Sequence, residues 1–118
     1  MTQQHQDLKA RTKQFALSLI RLFRSLPRTE ESRLIGKQMM RSGTSVAANY
    51  RAAGRARSRA EFVAKLGIVV EEIDETVFWI ELLSETEVLS QEKTRPILKE
   101  ANELLAIFAA SQRTARRS

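Results

Sequence analysis

Apolar residues recur along this chain in alternating steps of four and three, a period that fits helices and excludes strands. Leu8, Phe15, Leu19, Leu22 and Leu26, with Thr12 filling the gap, make one stripe that Pro27 closes. Thr29 before Glu30 and Glu31 reads as an N-cap with acids at the positive end of a second helix. Its expected buried face, Leu34, Ile35, Gln38, Met39, Ser42, Ser45, Val46, Asn49 and Ala53, changes midway from large apolar to small and polar residues. Gly43 costs about 1 kcal/mol in a helix interior, so a packing reason is expected for it. Gly54 is expected to end this helix in the left-handed conformation, and Ser58 to Glu61 reads as a capping box opening a third.

The third stripe is Phe62, Leu66, Val69, Ile73, Thr76 or Val77, Ile80 and Leu83, widened by Val63, Val70 and Trp79. Ser84 to Leu89 is a polar turn with Val88 and Leu89 folded back as a plug. Ser90 caps a last helix with Ile97, Ala101, Leu104 and Phe108 on its inner face. Pro96 is tolerable there if the regular helix starts near Thr94, and otherwise implies a kink. The spacing predicts helices over about 6–26, 30–53, 59–84 and 91–112, with a frayed basic tail at 113–118. Short connections favour antiparallel neighbours, so the expected fold is a single all-α domain, an up-down-up-down four-helix bundle.

The 118 residues suffice for one core, and only two prolines and four glycines interrupt them. No segment approaches the roughly 18 apolar residues of a membrane span. The start, MTQQHQDLKAR, lacks the apolar core of a secretory signal, so a cytoplasmic protein is expected. Absence of cysteine excludes disulfides and thiolate metal sites. Net charge is +6, unevenly spread: residues 1–60 hold 13 Lys/Arg against 3 Asp/Glu, and 61–118 hold 7 against 11. Such asymmetry suits a polyanion-facing surface, or charge pairing between helices or subunits.

Catalytic chemistry is hard to find. Two-metal bundle sites need Glu-x-x-His pairs on two helices, whereas the one histidine is His5, near the start. The acids Glu71, Glu72, Asp74 and Glu75 read as a solvated or ion-paired face. No serine or threonine stands beside a suitable base, and no glycine loop could cradle a phosphate. No metal or cofactor is expected, and a binding or assembly module is favoured over an enzyme. Trp79 reads as core, while Tyr50 reads equally as core or as a stacking platform for bases. The basic run is the candidate site: Arg51, Arg55, Arg57 and Arg59, with Arg41 upstream, and Arg113, Arg116 and Arg117 in the tail. Guanidinium forks without interleaved aromatics suit phosphate backbone rather than base edges. The same arginines could instead pair with the acidic third helix of a neighbouring subunit. Asn49, bonding Ser45 or a facing polar residue, reads as a device for helix register or subunit contact, with Tyr50 beside it.

The segment RSGTSVAANYRAAGRARSRAEFVAKLGIVVEEIDETVFWIELL, Arg41 to Leu83, resembles the hallmark of the bacterial four-helix-bundle family of 23S rRNA intervening-sequence proteins. The specific strings are Arg-Ser-Gly-x-Ser-x-x-x-Asn-Tyr-Arg and the Ser-x-x-Glu-Phe start of the third helix, and the likeness runs from the Leu8 helix to the Phe108 helix. The resemblance implies proteins encoded within intervening sequences of large-subunit ribosomal RNA genes or standing alone, with poorly defined activity. It further implies a homopentameric ring, and similarity in fold to the basic accessory proteins of diversity-generating retroelements, partners of a reverse transcriptase and nucleic acid. No hallmark residue brings a catalytic role with it. The expectation is a homopentamer whose arginines hold RNA or DNA backbone; the competing one is an assembly module with a protein partner and no nucleic acid.

Overall fold

A computed structural model describes residues 2–117, and among them are four helices and no strand: α1 (Gln3–Arg24), α2 (Glu30–Ala53), α3 (Arg59–Glu85) and α4 (Gln91–Arg117). Local chemistry sets their starts. The hydroxyls of Thr2, Thr29 and Ser58 accept the backbone N–H of His5, Ser32 and Glu61, each relieving an orphan donor of the first turn. Ser90 does the same for Lys93 at 3.4 Å. Pro96 lies inside α4, which is continuous from Gln91, so its missing donor costs one early hydrogen bond without a break. The α3–α4 turn places Glu87 at φ 62° and returns Leu89 N–H to the Leu83 carbonyl at 3.0 Å, with Leu89 buried beneath.

Two expectations are corrected here. Gly54 is not left-handed but lies at φ −65°, ψ −15°, and the chain leaves α2 through tight turns in which Arg55 and Ala56 bond Ala52 and Ala53. Glycine is required for another reason, because a Cβ at position 54 would fall 2.2 Å from His5 Nε2. Nor is the described part of the tail frayed: α4 continues to Arg117, with Ser111, Gln112 and Ala115 partly covered by the neighbouring helices.

The core follows the stripes of α1, α3 and α4 closely, and that of α2 only in part. Leu19, Met39, Val46, Leu66, Ile73, Ile80, Leu83, Leu104 and Phe108 are fully enclosed. On α2 the buried face is Ser32, Gly36, Met39, Ser42, Gly43, Val46, Tyr50 and Ala53, so Leu34, expected inside, stands 64% exposed. Small residues outcompete the leucine because they admit neighbours: a Cβ at Gly36 would meet Leu26 and Phe23, and one at Gly43 would lie 1.9 Å from Leu19 Cδ1. Positions rising along α2 thus meet positions falling along α1.

The contact between α2 and α3 is the most extensive of the bundle, and a buried polar pair is embedded in it. Ser42 Oγ and Thr76 Oγ1 lie 2.7 Å apart, Thr76 Oγ1 reaches the Glu72 carbonyl at 2.7 Å, and Ser42 Oγ is 3.2 Å from the Met39 carbonyl. Each hydroxyl owns one proton, and the distances favour Ser42 donating to Thr76 and Thr76 to Glu72. α1 and α4 touch least, joined by Arg11, whose Nε and Nη2 donate to Glu100 at 2.8 and 2.6 Å while Nη2 also reaches Glu103 at 2.7 Å.

Gly43→Ala should therefore destabilise the protein by about 1–3 kcal/mol in urea unfolding, despite the better helix former, because the added Cβ overlaps Leu19 Cδ1 and Leu19 is fully buried. Glu87→Gly should raise stability by about 0.5–1 kcal/mol by removing a Cβ from left-handed backbone, visible as a higher melting temperature.

Candidate nucleic-acid interface

The start of α1, the end of α2, the start of α3 and the end of α4 meet at one end of the bundle, where they line an open cavity of about 960 Å³. Leu8, Phe62, Leu66 and Ile107 contribute apolar surface to it, and Ser58, Arg59, Ser111 and Thr114 contribute polar groups. Four positions along that end bring in arginines. Arg51 is on the last turn of α2, Arg55 and Arg57 lie in the connection, Arg59 opens α3, and Arg113, Arg116 and Arg117 occupy the last turns of α4. All seven are exposed. Residues 51–59 and 113–117, far apart in sequence, thus share one basic end. Arg51, Arg116 and Arg117 also face the carbonyl ends of their own helices, where cations are stabilised by the helix dipole.

Pairing of Arg51, Arg55, Arg57, Arg113, Arg116 and Arg117 is slight among the described residues. Arg57 Nε is 3.5 Å from Glu61, but Arg57 is 89% exposed and such a pair contributes little. Among the described residues, Arg51, Arg55, Arg113, Arg116 and Arg117 make no ion pair. Arg41 does not belong to this cluster. Further along α2, it bonds Glu72 at 3.3 Å and also Glu75, whose carboxylate accepts the Trp79 indole N–H at 2.9 Å. The Trp79 and Arg41 hydrogen bonds hold the Glu75 carboxyl below its usual range. The Arg41 guanidinium is therefore paired within the chain, with two acids of its own α3. Trp79 is half-buried at the edge of the core rather than within it.

Beneath the basic end, His5, Tyr50 and Phe108 stack in series, with ring centroids 4.7 and 4.8 Å apart. Tyr50 is 5% exposed, so it is a helix contact and is unavailable as a platform for bases. Burial pushes its phenol up to about 12, which keeps it neutral. Asn49 is half-buried and bonds only its own helix, donating to Ser45 Oγ and the Ser45 carbonyl, each at 2.9 Å. The expected bond to Ser45 is present, and these bonds stay within α2 without reaching a facing helix. His5 was legible only as a residue near the start of the chain. Its Nε2 is buried against Gly54 without a hydrogen-bond partner, and burial together with nearby Lys9 lowers its pKa from 6.5. The described residues hold no cluster of three or more His, Asp or Glu able to bind a metal, and no helix long and apolar enough to cross a membrane.

A family model described as 23S rRNA-intervening sequence protein matches residues 4–110. The chain belongs to that family. A solved structure from Bacteroides thetaiotaomicron, described as a protein with unknown function from the S23 ribosomal protein family, superposes with a TM-score of 0.85 at 33% identity. The match covers 92% of this chain and 97% of that one, so the shared fold extends over nearly the whole chain. No curated protein matches. For a 23S rRNA-intervening sequence family member, then, the hallmark string Arg41–Arg51 divides by position. Ser42, Gly43, Val46 and Tyr50 face the core, while Arg41 and Arg51 face outward.

Since the folded pKa of His5 is lowered, the unfolded chain takes up its proton first. The contribution of His5 to stability is present in full above 6.5 and is lost as pH falls from there through the lowered folded value. Thermal unfolding followed between pH 7.5 and 5 should show this loss, and His5→Leu should lack that component.

Proposed function

We propose that this protein is a non-catalytic, cytoplasmic helical module, an up-down-up-down bundle that assembles as a homopentamer and binds RNA or DNA backbone through its basic end. What supports the reading is the gathering of Arg51, Arg55, Arg57, Arg59, Arg113, Arg116 and Arg117 around one end, with few acids among them. Phosphate is the group that such an array suits. Guanidinium forks bind it bidentately, and no aromatic side chain is exposed beside them to read bases. Self-association would multiply the basic ends and with them the avidity for a long polyanion. Arg41 is left out of the site because its charge is already matched by Glu72 and Glu75.

A second reading, an assembly protein with a protein partner and no nucleic-acid role, draws on a different observation. Leu34, Ile68 and Phe78 are large apolar side chains left in solvent, and apolar surface of that kind marks protein contacts more often than phosphate contacts.

Binding to a generic structured RNA, followed by fluorescence anisotropy, separates the two. Under the leading reading affinity falls with salt at a log–log slope of about 0.9 for each phosphate neutralised on a duplex. Arg55→Glu/Arg57→Glu/Arg59→Glu should then abolish binding while leaving helicity intact by circular dichroism. Retention of wild-type affinity by that variant would remove the basic end from consideration.

A further inference from the structure

A helix that leaves large apolar side chains on its outer side has apolar surface still to bury, and α3 is one. Its inner side carries Leu66, Val69, Ile73, Ile80 and Leu83, all fully enclosed, yet Ile68 and Phe78 on the outer side remain 37% and 50% exposed. Around Phe78, at helical steps of three, four and seven, stand the exposed acids Glu71, Asp74 and Glu81. None of the three forms an ion pair among the described residues, in contrast to Glu72 and Glu75, which Arg41 neutralises. The outer side of α3 is thus an apolar projection ringed by unmatched negative charge.

A surface of opposite character lies between α1 and α2. Ala10, Ala47 and Ala48 form the floor of a groove of about 400 Å³, bordered by Lys9, Lys13 and Arg51. These three cations make no ion pair among the described residues either. The alanines leave room for a bulky side chain to seat, and the border supplies positive charge. One surface offers a projection with acids, and the other a recess with bases.

We propose that the Phe78 face of one copy docks into the Ala10–Ala47–Ala48 groove of the next, with Glu71, Asp74 and Glu81 set against Lys9, Lys13 and Arg51. This rests on the self-assembly reading above and specifies the surfaces that carry it. The contact is heterologous, because it joins two different patches, and its repetition builds a ring when the rotation closes. Charge complementarity selects a second copy over an unrelated partner, since the chain itself carries both halves. The basic end remains outside the contact except for Arg51.

Two variants of exposed positions test the pairing on the full chain, by size exclusion with light scattering. Phe78→Ser removes the projection and Ala48→Trp fills the recess. Wild type should give an oligomer, each variant alone the mass of one chain, and an equal mixture the mass of two chains and no more, because one functional half survives on each variant. A one-chain mass for wild type would overturn the assembly reading and this inference together. An oligomeric wild type with both variants unchanged would overturn the proposed surfaces and leave assembly standing. One-chain variants that fail to pair on mixing would overturn the heterologous match. Charge reversal gives an independent check that leaves the apolar groups in place. Glu71→Lys/Asp74→Lys/Glu81→Lys and Lys9→Glu/Lys13→Glu should each lose the oligomer, and a chain carrying all five should regain it; no recovery in that chain would overturn the charge pairing.

Discussion

The close approach of α1 to α2 at Gly43 sets the dimensions of this bundle. Leu19 Cδ1 occupies the volume where any other residue at position 43 would carry its Cβ, and the methyl group of Thr76 lies 3.7 Å from the same point. Side chains of α1 and α3 therefore converge on one α2 position from which the side chain is missing. The hydroxyl pair of Ser42 and Thr76 is adjacent, a buried polar contact that is affordable only because both protons find acceptors. Short residues on α2 let the helices approach closely, and that proximity excludes water from the pair.

The same economy of side chains operates at the end of α2. Gly54 yields its Cβ space to His5, His5 covers Tyr50, and Tyr50 covers Phe108, so three helices are tied by a column of rings. This column roots the segments that carry the arginines. Their backbone is set by caps and by the turns after Ala53, while the guanidinium groups themselves stay in solvent. A helical frame that presents exposed cations is the arrangement expected for contacts to phosphate, where charge density matters more than exact geometry.

Charge is organised with similar separation. Arg11 bridges the loosest helix pair through Glu100 and Glu103, and Arg41 ties α2 to α3 through Glu72 and Glu75. Among the described residues, Arg51, Arg55, Arg113, Arg116 and Arg117 at one end of the bundle, Glu71, Asp74 and Glu81 on α3, and Lys9 and Lys13 on α1 make no ion pair. A basic chain can in this way keep an acidic face without collapsing it onto its own cations, because the helices hold the two apart.

Helix number, starts and stripes are local properties, and they can be read directly from the chain. The period of apolar residues, the capping hydroxyls of Thr29 and Ser58, the stop at Pro27 and the buried plug at Leu89 depend on residues within a few positions of one another. What could not be read are the choices that require a neighbour. Leu34 carries the stronger hydrophobic signal, yet α2 turns it outward, since facing Phe23 and Leu26 need the room that Gly36 leaves. Gly54 has the signature of a left-handed cap, but its role is to make space for an imidazole 49 positions earlier in the chain. The arginines were legible as two runs. That they share one end, and that Arg41 is cancelled by Glu75 instead of joining them, follows from packing distances that no sequence period encodes.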